Sequence, residues 1–331
     1  MTEASPPLSN DTAGAAQLVP HSPLDGPALR FDFPALQVGI AEYDAGPTGC
    51  TVFAFPNGAE AVVDARGGAV GTIMGKDGWI HAICFAGGSV YGLEAATGVS
   101  AELLAQRGFS ARWDQIAVVR GAIIYDFGPR ENTIYPDKAL GRAALRAARP
   151  GMFPLGPRGA GRSATVGKWA LRGLRGEPAG QGGAMRQVGE VKVAVFTVVN
   201  AVGALVDRSG RVVRGFLDPR TGRRRHPAEV AGNVPSTGAE VPSGGAPAHG
   251  NTTLTLLVTN ADLPTRSLRQ LGRQVHGSMA RAIQPFHTVF DGDVLFAVTT
   301  REVEPPDLDY LELATAASEL AWDAVLSSYQ D

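Results

Sequence analysis

Between residues 191 and 206 the chain reads Val-Lys-Val-Ala-Val-Phe-Thr-Val-Val-Asn-Ala-Val-Gly-Ala-Leu-Val, its longest nearly apolar stretch. It is shorter than the roughly 20 residues that cross a bilayer as a helix, and Lys192 and Asn200 interrupt it. Runs rich in β-branched residues broken by Gly203 fit buried strands at 189–200 and 203–206. A second such run, Thr-Thr-Leu-Thr-Leu-Leu-Val-Thr, opens at Thr252 directly after the Pro/Gly/Arg-dense segment 215–250. A fold with these runs needs a buried sheet. The 331 residues, 44% hydrophobic, supply enough core for one large domain or two ordinary ones.

The rest of the chain is read around that sheet. Short strand patterns at 37–43, 51–55 and 61–65 are separated by Gly/Pro turns. Behind Gly87-Gly88, the positions Val90, Leu93, Ala96, Val99, Leu103 and Leu104 recur near helical spacing and predict a helix over 89–106. A strand at 116–125 precedes a helix at 137–148, with Pro136 just before its start. After Thr252 the order is strand, helix 266–283, strand 294–300 and a last helix over 307–328. Strand runs followed by helix runs predict an α+β layered sheet domain. Residues 1–29, rich in Pro, Ser, Ala and Asp, lack a basic start and an apolar core and read as a disordered arm, not a signal peptide. The segment 215–250 reads as a long linker, a length that is usually functional or disordered.

Several function classes are disfavoured. A formal charge of −2 gives no general attraction to nucleic acid or to an anionic membrane, and Arg223-Arg224-Arg225 is too short to change that. The two cysteines, Cys50 and Cys84, sit in apolar contexts without a CxxC or Cys/His spacing, which predicts buried free thiols and a cytoplasmic protein. The six histidines form no HExxH or comparable metal pattern. The glycine-rich stretch 156–167 lacks the phosphate-loop spacing, because Lys168 is followed by Trp169. No cofactor or metal is expected.

What remains is a set of polar residues in apolar surroundings. Asn251-Thr252 is either a loop end opening a strand or a point of self-cleavage. A cut there would make Thr252 N-terminal and give its hydroxyl a base, the freed α-amine, which titrates near 7.7–8.0 in model peptides. Lys168, Asn200, Asp291 and Asp293 read as surface cation, turn residue and tight Asp-Gly-Asp turn, or as a site in which Asn200 donates to an oxyanion and the carboxylates hold the Thr252 ammonium or hydroxyl.

Motifs spread over nearly everything after Leu29 are similar to those of a known family. They are Arg-Phe-Asp-Phe-Pro at 30–34, Gly-Pro-Thr-Gly at 46–49, Val-Asp-Ala-Arg-Gly-Gly-Ala-Val-Gly at 63–71 and Gly-Gly-Ser-Val-Tyr-Gly-Leu-Glu-Ala at 87–95. Further on come Ile-Tyr-Asp-Phe at 124–127, Tyr-Pro-Asp-Lys-Ala-Leu-Gly-Arg at 135–142, Gly-Asn-Thr-Thr at 250–253, Gln-Pro-Phe-His-Thr at 284–288 and Asp-Gly-Asp at 291–293. The chain thereby resembles the self-processing N-terminal-nucleophile hydrolases of the L-aminopeptidase/D-Ala-esterase/amidase family. Within it the chain is most similar to the endo-type 6-aminohexanoate-oligomer (nylon-oligomer) hydrolases.

The resemblance implies an α+β fold of the four-layer αββα sandwich type, a single catalytic domain cut into fragments 30–251 and 252–331 that stay together, and a homotetramer. It implies Thr252 as nucleophile, Lys168 and Asn200 as its supports, Asp291 and Asp293 completing the site, and Tyr125 lining the substrate cleft. The aminopeptidases of the family carry a serine nucleophile, with Ser and Glu where this chain has Asp291 and Asp293, which points to hydrolysis of linear amides. Aminopeptidase or β-peptidase specificity, acyl transfer and a non-processing oligomeric scaffold are the alternatives. The arm and the 215–250 segment follow no pattern of the family.

Overall fold

Consecutive strand residues in this chain are apolar on both faces, so each strand must separate two cores. The computed structural model describes residues 7–14, 18–73, 75–168, 173–231, 250–304 and 309–329. Its principal strands are β1 (Gln37–Tyr43), β2 (Thr48–Ala65), β3 (Gly78–Ala86), β4 (Val119–Ile123), β5 (Gln181–Val188), β6 (Val191–Asn200), β7 (Thr252–Ala261) and β8 (Val294–Val303). Its long helices are α1 (Leu93–Gln106), α2 (Lys138–Arg146), α3 (Thr265–Ser278) and α4 (Tyr310–Leu326). The strands join in the order β5-β6-β7-β8-β2-β3-β4, with β1 paired to β2 and the short strand Thr72–Ile73 beyond β4.

Parity along the strands produces the layers. Ala194, Phe196 and Val198 of β6, Leu254 and Leu256 of β7, and Phe296 of β8 point into a central core, where they meet Phe53 and Phe55 of β2 and Ile83 and Phe85 of β3. The alternate residues Val193, Val195, Leu257, Leu295 and Ala297 face Leu268, Leu271 and Val275 of α3 and Leu320 of α4. On the other side Cys50, Val52, Ala82 and Cys84 face Ala95 and Val99 of α1 and Leu140 and Ala144 of α2. Three cores between four layers make an αββα sandwich. The two sheet layers are continuous through β2, whose register with β3 shifts between Ala54 and Ala59, around Pro56-Asn57-Gly58. In the central core Phe53, Phe85, Phe153 and Phe196 meet with centroids 4.9–6.0 Å apart. Each such ring pair adds about 0.5–1.5 kcal/mol to the burial itself.

Most pairings are antiparallel, but β3/β4 and β7/β8 are parallel. A parallel pair needs a crossover connection, and α1 and α3 provide the two. The predicted strand 37–43 is found as such. The patterns at 51–55 and 61–65 belong to one 18-residue strand, because Pro56 and Gly58 make a local irregularity and not a turn. The predicted helix 266–283 stops at Ser278, and Ile283 enters a small three-stranded sheet with Ala204–Val206 and Val212–Arg214.

Two segments differ from their reading as disordered arm and linker. In the arm, Thr133 N donates to Leu8 O (2.8 Å), Tyr135 N donates to Asn10 Oδ1 (2.9 Å), and Ala28–Arg30 pairs with Met152–Pro154. Its backbone finds partners that composition does not reveal. In the 215–250 segment, Phe216 is buried against Leu174, Ala204 and Val230, and Arg224 holds the Glu177 carboxylate through Nε and NH2 at 2.7 and 2.9 Å. Residues 232–249 of that segment lie outside the described residues. Cys50 and Cys84 are buried and free, as their contexts predict, and a hydrogen bond from Cys84 together with burial pushes the Cys50 thiol up. Among the described residues no helix is long and apolar enough to cross a membrane.

Candidate active site

Strand register assembles the site. β7 and β8 run parallel, so their first residues lie side by side; Thr252 opens β7, and Asp291-Gly292-Asp293 leads into β8. β6 runs antiparallel to β7 and ends beside it, with Asn200 opposite Thr252. Three strand ends thus bring together residues far apart in sequence. Lys168 arrives from the glycine-rich stretch, where its backbone N donates to Val202 O (3.0 Å) just beyond the end of β6. Gly167 has φ +69° and packs so closely on Gly215 that a Cβ there would lie 2.3 Å from the Gly215 Cα. That stretch positions a lysine.

The Asn251–Thr252 peptide bond is buried, both residues being under 5% exposed. Asn251 bridges in parallel to Asp291, and its N–H donates to Phe290 O (3.3 Å). Its carbonyl oxygen accepts two bonds, from the Gly292 N–H at 2.7 Å and from the Thr252 Oγ1 hydroxyl at 2.5 Å. The hydroxyl therefore sits against the carbonyl of its own peptide bond, with a backbone donor already on that oxygen. The Asn251 side chain is enclosed, and among the described residues neither Oδ1 nor Nδ2 has a hydrogen-bond partner. A buried amide left this way costs about 1–3 kcal/mol per group.

The surrounding polar groups are tightly connected. Lys168 Nζ donates to Asn200 Oδ1 (2.9 Å) and to Asn200 O (3.2 Å). Thr165 N also donates to that Oδ1 (3.0 Å), which leaves Asn200 Nδ2 to donate to Tyr125 O (2.9 Å) and Gly250 O (3.4 Å). Asp291 accepts from Val202 N and from both the N–H and the hydroxyl of Thr288. Asp293 Oδ1 accepts from Thr253 N (2.7 Å), and its Oδ2 from His287 N (3.1 Å) and His287 Nδ1 (3.0 Å). Behind the turn, Ala69 N donates to Asp291 O and Arg66 N to Asp293 O. Gly67 allows this clasp, since a Cβ there would stand 2.2 Å from Asp291 O.

Electrostatics sets the proton inventory. Burial lowers Lys168 from 10.5 to about 7 against the pull of Asp291. Burial first and Asp293 second push the Asp291 carboxyl up, with the Thr288 and Val202 hydrogen bonds opposing. The site thus pairs an amine that is partly neutral near pH 7 with a carboxyl of raised proton affinity, the combination that general acid–base work requires. A cavity of about 370 Å³ lies alongside, lined by Tyr125, Gly128, Pro129, Lys168, Leu174 and Arg175. A larger cavity of about 710 Å³, between the β5/β6 hairpin and α4, contains none of these groups. Among the described residues no cluster of His, Cys, Asp and Glu is arranged to hold a metal ion.

The residues singled out from sequence, Thr252, Lys168, Asn200, Asp291, Asp293, Asn251 and Tyr125, all converge here. Asn200 Nδ2 is engaged by Tyr125 and Gly250, and the backbone donor on the Asn251 carbonyl is the Gly292 N–H. That backbone donor was not identified from sequence; its one signal is a glycine between two aspartates. His287 lies in a motif already noted, with nothing in its spacing to give it a partner.

The family model described as Peptidase family S58 matches residues 31–330. A 6-aminohexanoate-oligomer endohydrolase of Kocuria sp. (strain KY2) is 46% identical over 98% of this chain and 93% of its own length. A putative NylC-analogous protein of Agromyces sp. (strain KY5R) is 48% identical over 91% of this chain and 99% of its own. Among solved structures, the L-aminopeptidase D-Ala-esterase/amidase from Ochrobactrum anthropi, described as a variant of the Ntn hydrolase fold, superposes with a TM-score of 0.60 at 14% identity, covering 93% of this chain and 88% of that one. A Burkholderia sp. beta-aminopeptidase superposes with a TM-score of 0.61 at 16% identity, covering 92% and 88%. The chain belongs to peptidase family S58 and is a hydrolase acting on amide bonds.

Proposed function

We propose that this chain cuts itself between Asn251 and Thr252 and then hydrolyses linear amide oligomers of the 6-aminohexanoate type by internal cleavage, with Thr252 as an N-terminal nucleophile. The observation that carries the reading is the Thr252 hydroxyl 2.5 Å from the Asn251 carbonyl oxygen while the Gly292 N–H holds the same oxygen at 2.7 Å. The substrate class follows from the relatives named as 6-aminohexanoate-oligomer endohydrolases, at 46% identity over almost the whole chain.

Processing begins with attack of Thr252 Oγ1 on the Asn251 carbonyl carbon. The hydroxyl proton passes to the neutral Lys168 amine, and Gly292 N–H stabilises the oxyanion. The C–N bond then breaks as the Thr252 nitrogen takes up a proton, leaving an ester between Asn251 and Oγ1. Water hydrolyses that ester and frees the Asn251 carboxylate and the Thr252 amine.

In turnover the α-amine of Thr252 takes the hydroxyl proton as Oγ1 attacks the substrate carbonyl, then delivers it to the departing amine. Asn200 Nδ2, released from Gly250 O once the fragment end retreats, joins Gly292 N–H on the oxyanion. Asp291 and Asp293 balance the α-ammonium, and Tyr125 lines the cleft that receives the chain of the substrate. Water attacks the acyl-enzyme, again with the amine as base, and releases the acid. The enzyme acts as a cytoplasmic homotetramer of cut protomers. N-terminal sequencing of the purified protein is expected to find a fragment 252–331 beginning at Thr252, and Thr252→Ala to give an intact, folded and inactive chain. A cut elsewhere, or turnover by Thr252→Ala, refutes the nucleophile. An N-terminally blocked 6-aminohexanoate oligomer separates internal cleavage, which consumes it, from aminopeptidase action, which does not.

A further inference from the structure

Two histidines, the partly buried His287 and the fully buried His276, stand behind the Asp293 carboxylate, and the mechanism above uses neither. We propose that His287 is a positioning residue: its imidazole Nδ1–H fixes the Asp293 carboxylate, which in turn fixes the start of β7 where Thr252 stands. The proposal rests on the reading of Thr252 as nucleophile.

The hydrogen bonds decide which nitrogen carries the proton. His287 Nδ1 lies 3.0 Å from Asp293 Oδ2, and the His287 backbone N–H lies 3.1 Å from the same oxygen. A carboxylate oxygen accepts, so Nδ1 donates. Nε2 is enclosed and has no hydrogen-bond partner. Against it the ring of His276 packs edge to face, with centroids 4.4 Å apart. His276 is fully buried, with its own Nδ1 2.9 Å from Asp64 Oδ2, and Arg66 Nε donates to that same oxygen (2.6 Å). Burial first, and the neighbouring His287 as well, hold His276 below the ordinary histidine range. The groups facing the His287 ring are therefore Asp293 in front and His276 behind, with Asp64 and Arg66 beyond it and Asp291 across the turn.

A ring so placed cannot shuttle protons to the substrate, because its only engaged nitrogen is turned to Asp293 and its other nitrogen is sealed. What it can do is determine a rotamer. With both donors of His287 on Oδ2, the remaining oxygen Oδ1 is directed to the Thr253 N–H at 2.7 Å, one residue from the nucleophile. Small displacements of reacting groups cost about a hundredfold in rate, so loss of this strut is felt at Thr252 without any contact to substrate.

The backbone supplies a clean test. His287 sits at φ +57°, in the left-handed region that asparagine tolerates best among residues with a side chain. Asparagine also places an amide N–H near the position of Nδ1 but does not titrate. His287→Ala is expected to lower kcat on a 6-aminohexanoate oligomer about 10–100-fold with KM within about threefold, and to slow fragment formation in parallel. His287→Asn is expected to recover most of that loss and to keep the wild-type pH profile. Equal losses in the Asn and Ala variants, a loss confined to KM, or a pH limb that disappears in His287→Asn would overturn the positioning role, the last by making the imidazole a titrating catalytic base. Thermal melting of each variant separates unfolding from misplacement. If the unmutated protein neither cuts at Thr252 nor hydrolyses the oligomer, the reading of Thr252 fails instead, which the same gels and assays report independently.

Discussion

The proposed self-cleavage must start from a chain with no free Thr252 amine, so that step needs another base, and Lys168 is the group whose chemistry fits. With the lysine lowered to about 7, the neutral fraction falls tenfold per pH unit below that point. Self-cleavage is therefore expected to be about a hundredfold slower near pH 5 than on its alkaline plateau. The assay is a time course of fragment appearance by gel and intact mass, using precursor made by cell-free synthesis and transferred into buffers of set pH. Lys168→Met, which keeps the length of the side chain and removes the amine, is expected to lower the plateau rate about 10²–10⁴-fold and to erase the limb near 7. The same lysine leaves a signature on stability. Because its folded value lies below its unfolded 10.5, the unfolded chain binds more protons between about 7 and 10.5, and stability rises with pH across that window. Below about 7 the penalty is complete. Denaturation of Thr252→Ala with and without Lys168→Met should therefore show a stability difference that shrinks as pH rises through the window. Processing that is flat across pH 5–8, or a limb near 7 that survives in Lys168→Met, would refute Lys168 as the base.

Gly292→Ala adds a Cβ 2.7 Å from both Thr252 Oγ1 and Ala69 O, so the turn or the hydroxyl must move. Self-cleavage in that variant should fall at least about a hundredfold, the scale of losing an oxyanion donor, as measured by intact mass after timed incubation. Asn200→Ala removes the side-chain acceptor of Lys168 and the amide donor held by Tyr125 O and Gly250 O; kcat on the oligomer should fall about 10²–10³-fold, and the melting temperature should fall as well, because each buried partner left unpaired costs about 1–3 kcal/mol.

The readable part of the fold was the part governed by residue pattern. The strand at 37–43, the continuous apolar runs of β6 and β7 and the helix behind Gly87-Gly88 follow from periodicity, and the αββα layering came from the family resemblance. β3 was not read at all, although Ile83 and Phe85 on one face and Ala82 and Cys84 on the other supply two different cores. β6 and β7 are buried on both faces too but show long unbroken apolar runs, whereas His81 breaks the run of β3 between Ile80 and Ala82. The arm was misjudged for another reason: its order comes from backbone bonds to Thr133, Tyr135 and 152–154, which composition does not encode.

The site follows a similar division. Side chains that carry chemistry were visible as polar residues in apolar runs, whereas the Gly292 N–H was not, since every residue but proline has one. What places it on the Asn251 carbonyl is register: β7 and β8 are parallel and in step from Leu254 and Val294 onward, and the bridge from Asn251 to Asp291 continues that pairing just ahead of the strands. A slip of one residue in β8 would turn Asp291 and Asp293 to the other face and replace Gly292 with a residue bearing a side chain. The glycine is needed where the backbone must approach Thr252 Oγ1, and the flanking aspartates, two residues apart, share one face, from which Asp291 reaches Val202 N and Thr288 and Asp293 reaches Thr253 N. Asp-Gly-Asp is thus a statement about strand pairing as much as about charge, and it acquires meaning only when the partner strand begins with Thr252.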